Sequence, residues 1–232
     1  MALASCLFNS EHITLHFNYC FMSHHAQTKS AVPTYDGDDS AGRIFRVARR
    51  LFAEQGFAAV SMRDIAEHAK MSKANVFHHF KTKADLYKCV LTTCAYEFDE
   101  LLNQLEDNTS EIEEVLKHLI HSRLKLQLQD RETGILFVRA ILEYHDNVEH
   151  RIVSEMIRDR FQRFIRLLTH LRKNSAVKDA IDNRTLALLI FGSHHIYWLM
   201  HPHLSNDSHC LPAPEEFSQQ VANILIEGIL GK

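Results

Sequence analysis

The sequence predicts an all-α protein: an N-terminal helix-turn-helix in a three-helix domain, then a larger helical domain. Three observations predict it. Ser61, Ser72 and Thr82 each stand directly before a short stretch with helical spacing, where a hydroxyl oxygen accepts from an orphan N–H of the first turn. Only 7 glycines and 4 prolines occur in 232 residues, which leaves few tight loops. No stretch alternates β-branched and polar residues over the length of a strand.

Taken in order, residues 1–39 form an extension. They contain no Lys or Arg before Lys29, and Glu11, His12 and His16 interrupt the apolar residues. That pattern fits neither a secretory signal nor a membrane anchor. Met22 opens a polar, tail-like stretch and is the expected natural start, and the residues from Ser30 to Ser40, with Pro33, Gly37 and several aspartates, read as a flexible lead-in.

The domain at 40–91 begins with a helix whose apolar residues Ile44, Val47, Ala48, Leu51 and Phe52 share one face. Gly56 follows where a helix commonly ends. A second helix, starting after Ser61, offers Met62, Ile65, Ala66 and Ala69 to the same core; a third, starting after Ser72, offers Val76 and Phe80. A fourth, starting after Thr82, adds Leu86 and Val90. Ser61 with Asp64 and Thr82 with Asp85 have capping-box spacing.

Two short capped helices joined by a brief turn are the form in which a helix is laid into a DNA groove. Charge supports that use. Residues 40–90 hold 10 Lys and Arg against 4 Asp and Glu, although the whole chain carries −3. The positive charge therefore sits on the candidate reader, where duplex phosphates attract it. On a third helix running from about Lys73 to Phe80, the residues Lys73, Ala74, Asn75 and His78 fall on the outer side. Asn can bond adenine in a bidentate manner and Lys can donate to guanine.

The run from Ala41 to Leu91 is similar to the DNA-binding domain of the TetR/AcrR family of bacterial transcriptional regulators. The matching residues are LFAEQGF, Ser61 with Ile65, Ala66 and Ala69, then Ser72, His79, Phe80, Lys83 and Leu86. The resemblance implies phosphate contacts at Ser61, His79 and Lys83, with Ser72 and Phe77 in the same DNA-binding surface. Two departures stand out. Lys70 occupies a position where many members have glycine, and a positive φ there costs about 1 kcal/mol, so a slightly altered turn is expected. Phe77 stands where tyrosine is frequent and lacks a hydroxyl to reach phosphate.

The domain at 92–232 is expected as amphipathic helices: one long helix over 84–106, a new cap at Ser110 with Glu113, then helices near 111–128, 132–144 and 147–172. Five arginines of the last, Arg151, Arg158, Arg160, Arg163 and Arg166, are expected on a solvated or interface face. Leu186 to Met200 is almost wholly apolar, and another apolar helix runs from about Pro214 to Leu230. Two such helices suggest a dimer seam, and in the similar family the last two helices form it. A dimer matches a palindromic operator on double-stranded DNA.

The resemblance also implies a small-molecule effector between the middle helices, of unknown identity. Candidate lining residues are Phe137, Tyr144, His145, Phe161, His194 and Trp198, large or polar groups on otherwise apolar stretches. The expected function is a cytoplasmic repressor, released from its operator by that effector. The alternative is a nucleoid-binding or structural DNA-binding protein with the same helix-turn-helix and no effector. No nucleophile–base pair, glycine-rich phosphate loop or supported carboxylate pair marks an enzyme or a cofactor site. The histidines at 194, 195, 201, 203 and 209 have no defined zinc spacing, and no metal is expected.

Overall fold

The computed structural model describes residues 39–106, 111–142, 148–173, 181–207 and 209–230. Among them are ten helices and no strand. They are α1 (Ser40–Ala59), α2 (Met62–His68), α3 (Lys73–His79), α4 (Lys83–Cys94), α5 (Tyr96–Glu106), α6 (Ile112–Gln129), α7 (Arg131–Leu142), α8 (Val148–Lys173), α9 (Asn183–Leu204) and α10 (Pro214–Leu230). Helix α1 starts on an Asp39 cap, whose Oδ1 accepts from the Gly42 N–H at 2.8 Å. It breaks at Gly56, whose φ of 83° and ψ of 166° suit a residue without Cβ.

Two apolar clusters organise the chain. The first joins α1 to α4 through Ile44, Phe52, Ile65, Val76, Leu86 and Val90, all buried as the periodicity predicts. It continues into α7 and α8 through Leu136, Ala140, Val153 and Met156. The second gathers Leu102 and Leu105 of α5, Leu116 and Leu119 of α6, Phe164 and Leu168 of α8, Ile190 of α9 and Leu225 of α10.

The single helix expected over 84–106 is two helices. Ala95 ends α4, and its N–H is shared between the Leu91 and Thr93 carbonyls. The division serves packing: Leu86, Tyr87, Val90 and Leu91 of α4 enter the first cluster, whereas Leu101, Leu102 and Leu105 of α5 enter the second. The cap expected at Ser110 lies outside the described residues; α6 begins after Glu111 without a side-chain cap.

Ion pairs hold α8 to α5. Arg160 Nη2 lies 2.7 Å from Asp99 Oδ2, and Arg163 grips Glu106 with Nε and Nη2 at 2.9 and 2.8 Å. These two arginines thus face an internal interface, while Arg151, Arg158 and Arg166 are exposed. Helix α9 carries apolar residues all round but buries only one side. Leu186, Ala187, Ile190, Tyr197 and Trp198 are buried, while Leu188 and Ile196 are each 61% exposed and Leu189, Leu199 and Met200 are also open.

Candidate nucleic-acid interface

The reader is built from α2, the four-residue connection 69–72 and α3. Ser61 caps α2 with a complete box: its Oγ accepts from the Asp64 N–H at 3.2 Å, and Asp64 Oδ2 accepts from the Ser61 N–H at 2.9 Å. These bonds hold the Asp64 carboxyl below its usual range. Ser72 Oγ accepts from the Asn75 N–H at 3.2 Å to start α3, and Thr82 Oγ1 accepts from the Asp85 N–H at 3.0 Å to start α4. All three sequence-predicted caps therefore form.

The turn between α2 and α3 is regular, not altered. Lys70 adopts φ 55°, the single positive φ of a non-glycine residue among those described. Its N–H donates to the Glu67 carbonyl at 3.0 Å, and the Met71 N–H donates to the Ala66 carbonyl at 2.9 Å. That pair of bonds is a Schellman ending. The paired carbonyls and the packing of Met71 on the first cluster hold Lys70 in a conformation that its side chain disfavours.

Helix α3 rests on Val76, which is fully buried, and presents the opposite side to solvent. Lys73, Ala74, Phe77 and His78 are exposed, and Asn75 and His79 are half-buried. The Lys73 ammonium lies 5.5 Å from the centre of the Phe77 ring, one turn along. His78 and His79 meet edge-to-face at 5.4 Å. Ser61 is exposed at the start of α2, where its oxygen serves as cap acceptor and its side chain is hydrogen-bonded to the Asp64 carboxylate.

Lys83 is placed differently from the expectation. Its Nζ donates to the Phe57 and Val60 carbonyls, 2.8 Å each, and lies 4.0 Å above the Phe57 ring. Phe57 in turn packs on Tyr87 at 4.8 Å. The ammonium thus ties the end of α1 to the start of α4. No spacing in the sequence shows that task, because carbonyls released at the Gly56 break attract it.

The candidate effector residues are not gathered around one cavity. Tyr144 and His145 lie outside the described residues. Phe137 packs against the first cluster and Phe161 against the second. Trp198 lies on Gly134, so tightly that a Cβ there would stand 2.5 Å from Trp198 Cζ2. His194 is buried near Phe217. The two cavities described have other linings. One, of about 300 Å³, lies between α6 and α10 and includes His121, Lys125, Glu215 and Ser218. The other, about 510 Å³, lies along the open side of α9 and includes Leu188, Ile196 and Met200.

One contact was invisible to sequence reasoning. Arg49 of α1 pairs with Asp130, which begins α7 by accepting from the Thr133 N–H at 3.0 Å; Arg49 Nε also lies 3.6 Å from Glu132. The residues are 81 apart in sequence, and neither belongs to a motif.

Comparisons with known proteins agree with this architecture. Residues 44–90 match the family described as bacterial regulatory proteins, tetR family. The chain is 41% identical over 66 residues to the HTH-type transcriptional repressor Rv3405c of Mycobacterium tuberculosis, covering 28% of this chain and 35% of that protein. The chain therefore matches about a third of that regulator's length. It is 22% identical over 162 residues to AcrR of Shigella flexneri, covering 68% and 75% of the two chains. Among solved structures it is similar to NalD of Pseudomonas aeruginosa, with TM-score 0.65 and 21% identity over 82% of this chain and 95% of that one. FadR of Bacillus subtilis gives TM-score 0.65 and 18% identity over 81% and 98%. At such identities the structural likeness establishes the fold alone. Residues 44–90 thus belong to the tetR family of bacterial regulatory DNA-binding domains, and the helical body that follows has the fold of TetR/AcrR regulators.

Proposed function

We propose that the protein is a sequence-specific DNA-binding repressor that grips a palindromic operator as a homodimer and is released by a small-molecule effector. One observation carries the reading: α3 is capped, seated on Val76 and open along Lys73, Ala74, Phe77 and His78, with Asn75 half-buried beside them. In this reading Lys73 and Asn75 meet base edges, while Ser61, Ser72 and His79 meet phosphate. Lys83 acts indirectly, by holding α1 against α4. The reader spans 40–91 and the regulatory body 92–232, and the protein acts in the cytoplasm, where its DNA lies.

The dimer reading is supported by α9 and α10. Leu188, Leu189, Ile196, Leu199 and Met200 form a continuous stripe, and Ile224 of α10 is 68% exposed. Such a patch on one chain is a surface for a partner, and a symmetric copy presents the same stripe. Release by an effector is a population shift between two spacings of the readers. The route available is α7, which packs along α1 and is pinned to it by Arg49 and Asp130. That the FadR neighbour is in complex with stearoyl-CoA supports a small-molecule effector here.

Footprinting of the purified protein across genomic DNA tests the proposal. A short palindrome protected by a dimer, and vacated when a metabolite is added, is the expected outcome. Broad occupancy of scattered sites, indifferent to metabolites, would instead establish the architectural alternative.

A further inference from the structure

The core around α6 and α9 holds two polar side chains, Arg123 and His194, that face no carboxylate among the described residues. Arg123 interrupts the inward stripe of α6 formed by Leu116, Leu119, Ile120 and Leu124, and is only 7% exposed. Its guanidinium lies 4.0 Å from the centre of the Phe191 ring and 5.8 Å from that of Phe98. Its hydrogen bond is a long one to Gln127 Oε1, at 3.4 Å. Among the described residues no carboxylate pairs with it, and burial alone pushes the group down to about 9. His194 of α9 is fully buried; neither ring nitrogen makes a hydrogen bond of ordinary geometry, and the backbones of Ile120 and Ile190 are the polar groups nearest the ring. Burial first, and then the nearby Arg123 charge, push its imidazole down to about 3, so it is neutral.

An unpaired buried cation is costly, and a well-packed apolar residue of similar volume is commonly the more stable choice. The aromatic faces recover part of that cost. They supply no acceptor for the guanidinium N–H groups. The arrangement makes chemical sense when a further group, absent from the chain itself, supplies one negative charge and acceptor oxygens.

We propose that Arg123 and His194 are the polar end of a ligand site, taking the carboxylate of a molecule whose apolar body lies among Phe98, Phe161 and Phe191. The inference rests on the effector reading and names the chemical class of the effector. A carboxylate suits the guanidinium fork in shape, and its single charge balances the single buried positive charge. A phosphate monoester, at about −1.5 to −2, leaves an excess. Phe191 stands 5.9 Å from Phe161, 5.7 Å from Phe98 and 5.4 Å from Phe164; neither described cavity is lined by these rings, so in this proposal the ligand enters by displacing Phe191, the ring the other three share. Because Phe98, Arg123 and Phe191 belong to α5, α6 and α9, entry of the ligand moves three helices at once.

The test uses the full chain as wild type and in two variants. Octanoate, decanoate and 4-phenylbutyrate are titrated by calorimetry beside their primary amides and octyl phosphate, against wild type, Arg123→Met and His194→Gln. Thermal melting without ligand is recorded for each. At least one carboxylate binds wild type tenfold or more tightly than its amide and than octyl phosphate. Arg123→Met loses that preference yet melts at the same or a higher temperature, and His194→Gln weakens the carboxylate severalfold. Equal binding of acids and amides, equal or tighter binding of octyl phosphate, a preference that survives in Arg123→Met, or a melting point several degrees lower in that variant overturns the proposal. Operator release is followed in parallel by fluorescence anisotropy. Carboxylate binding that leaves the operator occupied supports the site and refutes the effector reading, so the two fail separately.

Discussion

At the residue scale, the reader is set by a few local bonds whose removal has calculable consequences. Lys70 holds φ 55° within a Schellman turn. Lys70→Gly relieves a left-handed cost of about 1 kcal/mol, partly offset by the freer unfolded chain. Chemical denaturation should show a small net gain in stability. Ser61→Ala removes the cap acceptor of α2 and should cost about 1 kcal/mol, seen as a lower denaturation midpoint. Lys83→Met leaves the Phe57 and Val60 carbonyls without their ammonium. Its expected signature is lower stability, with DNA affinity falling only as far as the folded fraction does. His194 adds a pH dependence. Its folded value lies near 3, below the unfolded value of 6.5, so the unfolded chain binds the proton first. Its contribution is therefore complete above about pH 6.5 and is lost as pH falls from there toward 3. Replacing it with glutamine should flatten the stability–pH curve in that window, and an unchanged curve would show that the ring is charged or solvated in the native state.

At the element scale, the helices with clear caps and a single apolar face were legible from sequence. Ser61, Ser72 and Thr82 start α2, α3 and α4 as their chemistry predicts, because a cap is a bond between residues three apart. The break at Ala95 was not legible, since alanine favours helix and only the divergence of two cores calls for the bend. Trp198 shows a related limit: a large aromatic on an apolar helix reads alike whether it lines a cavity or seals a contact. The structure packs its indole on Gly134, where a methyl group would collide with it. Gly134→Ala should cost about 1–3 kcal/mol through overpacking, against the small gain that alanine gives an ordinary helix. The exposed stripe of α9 supports the opposite kind of prediction. Leu188→Glu with Ile196→Glu places charges where each chain is already open. Light scattering should then report a monomer that melts near the wild-type temperature. A dimer that persists would move the seam elsewhere.

At the scale of the whole molecule, the reader and the regulatory body share a core. The first cluster runs from Ile44 to Met156, and Arg49 and Asp130 link α1 to the start of α7. Nothing in the local sequence pattern announces that link, since it joins positions 81 apart. Asp130→Asn keeps an acceptor for the Thr133 N–H and removes the charge facing Arg49. Operator affinity should stay within about threefold, while the response to ligand weakens, because coupling between the sites and binding at either one are separable quantities. The central claim, that α3 reads a DNA sequence, is tested most directly by anisotropy titration of the protected palindrome against random duplex at several salt concentrations. Wild type should prefer the palindrome by a factor of about 1,000 or more, with half-sites roughly one helical turn apart, and Asn75→Ala should lose most of that preference while keeping a similar salt slope. Equal affinity for palindrome and random duplex, unchanged by Asn75→Ala, would contradict the account.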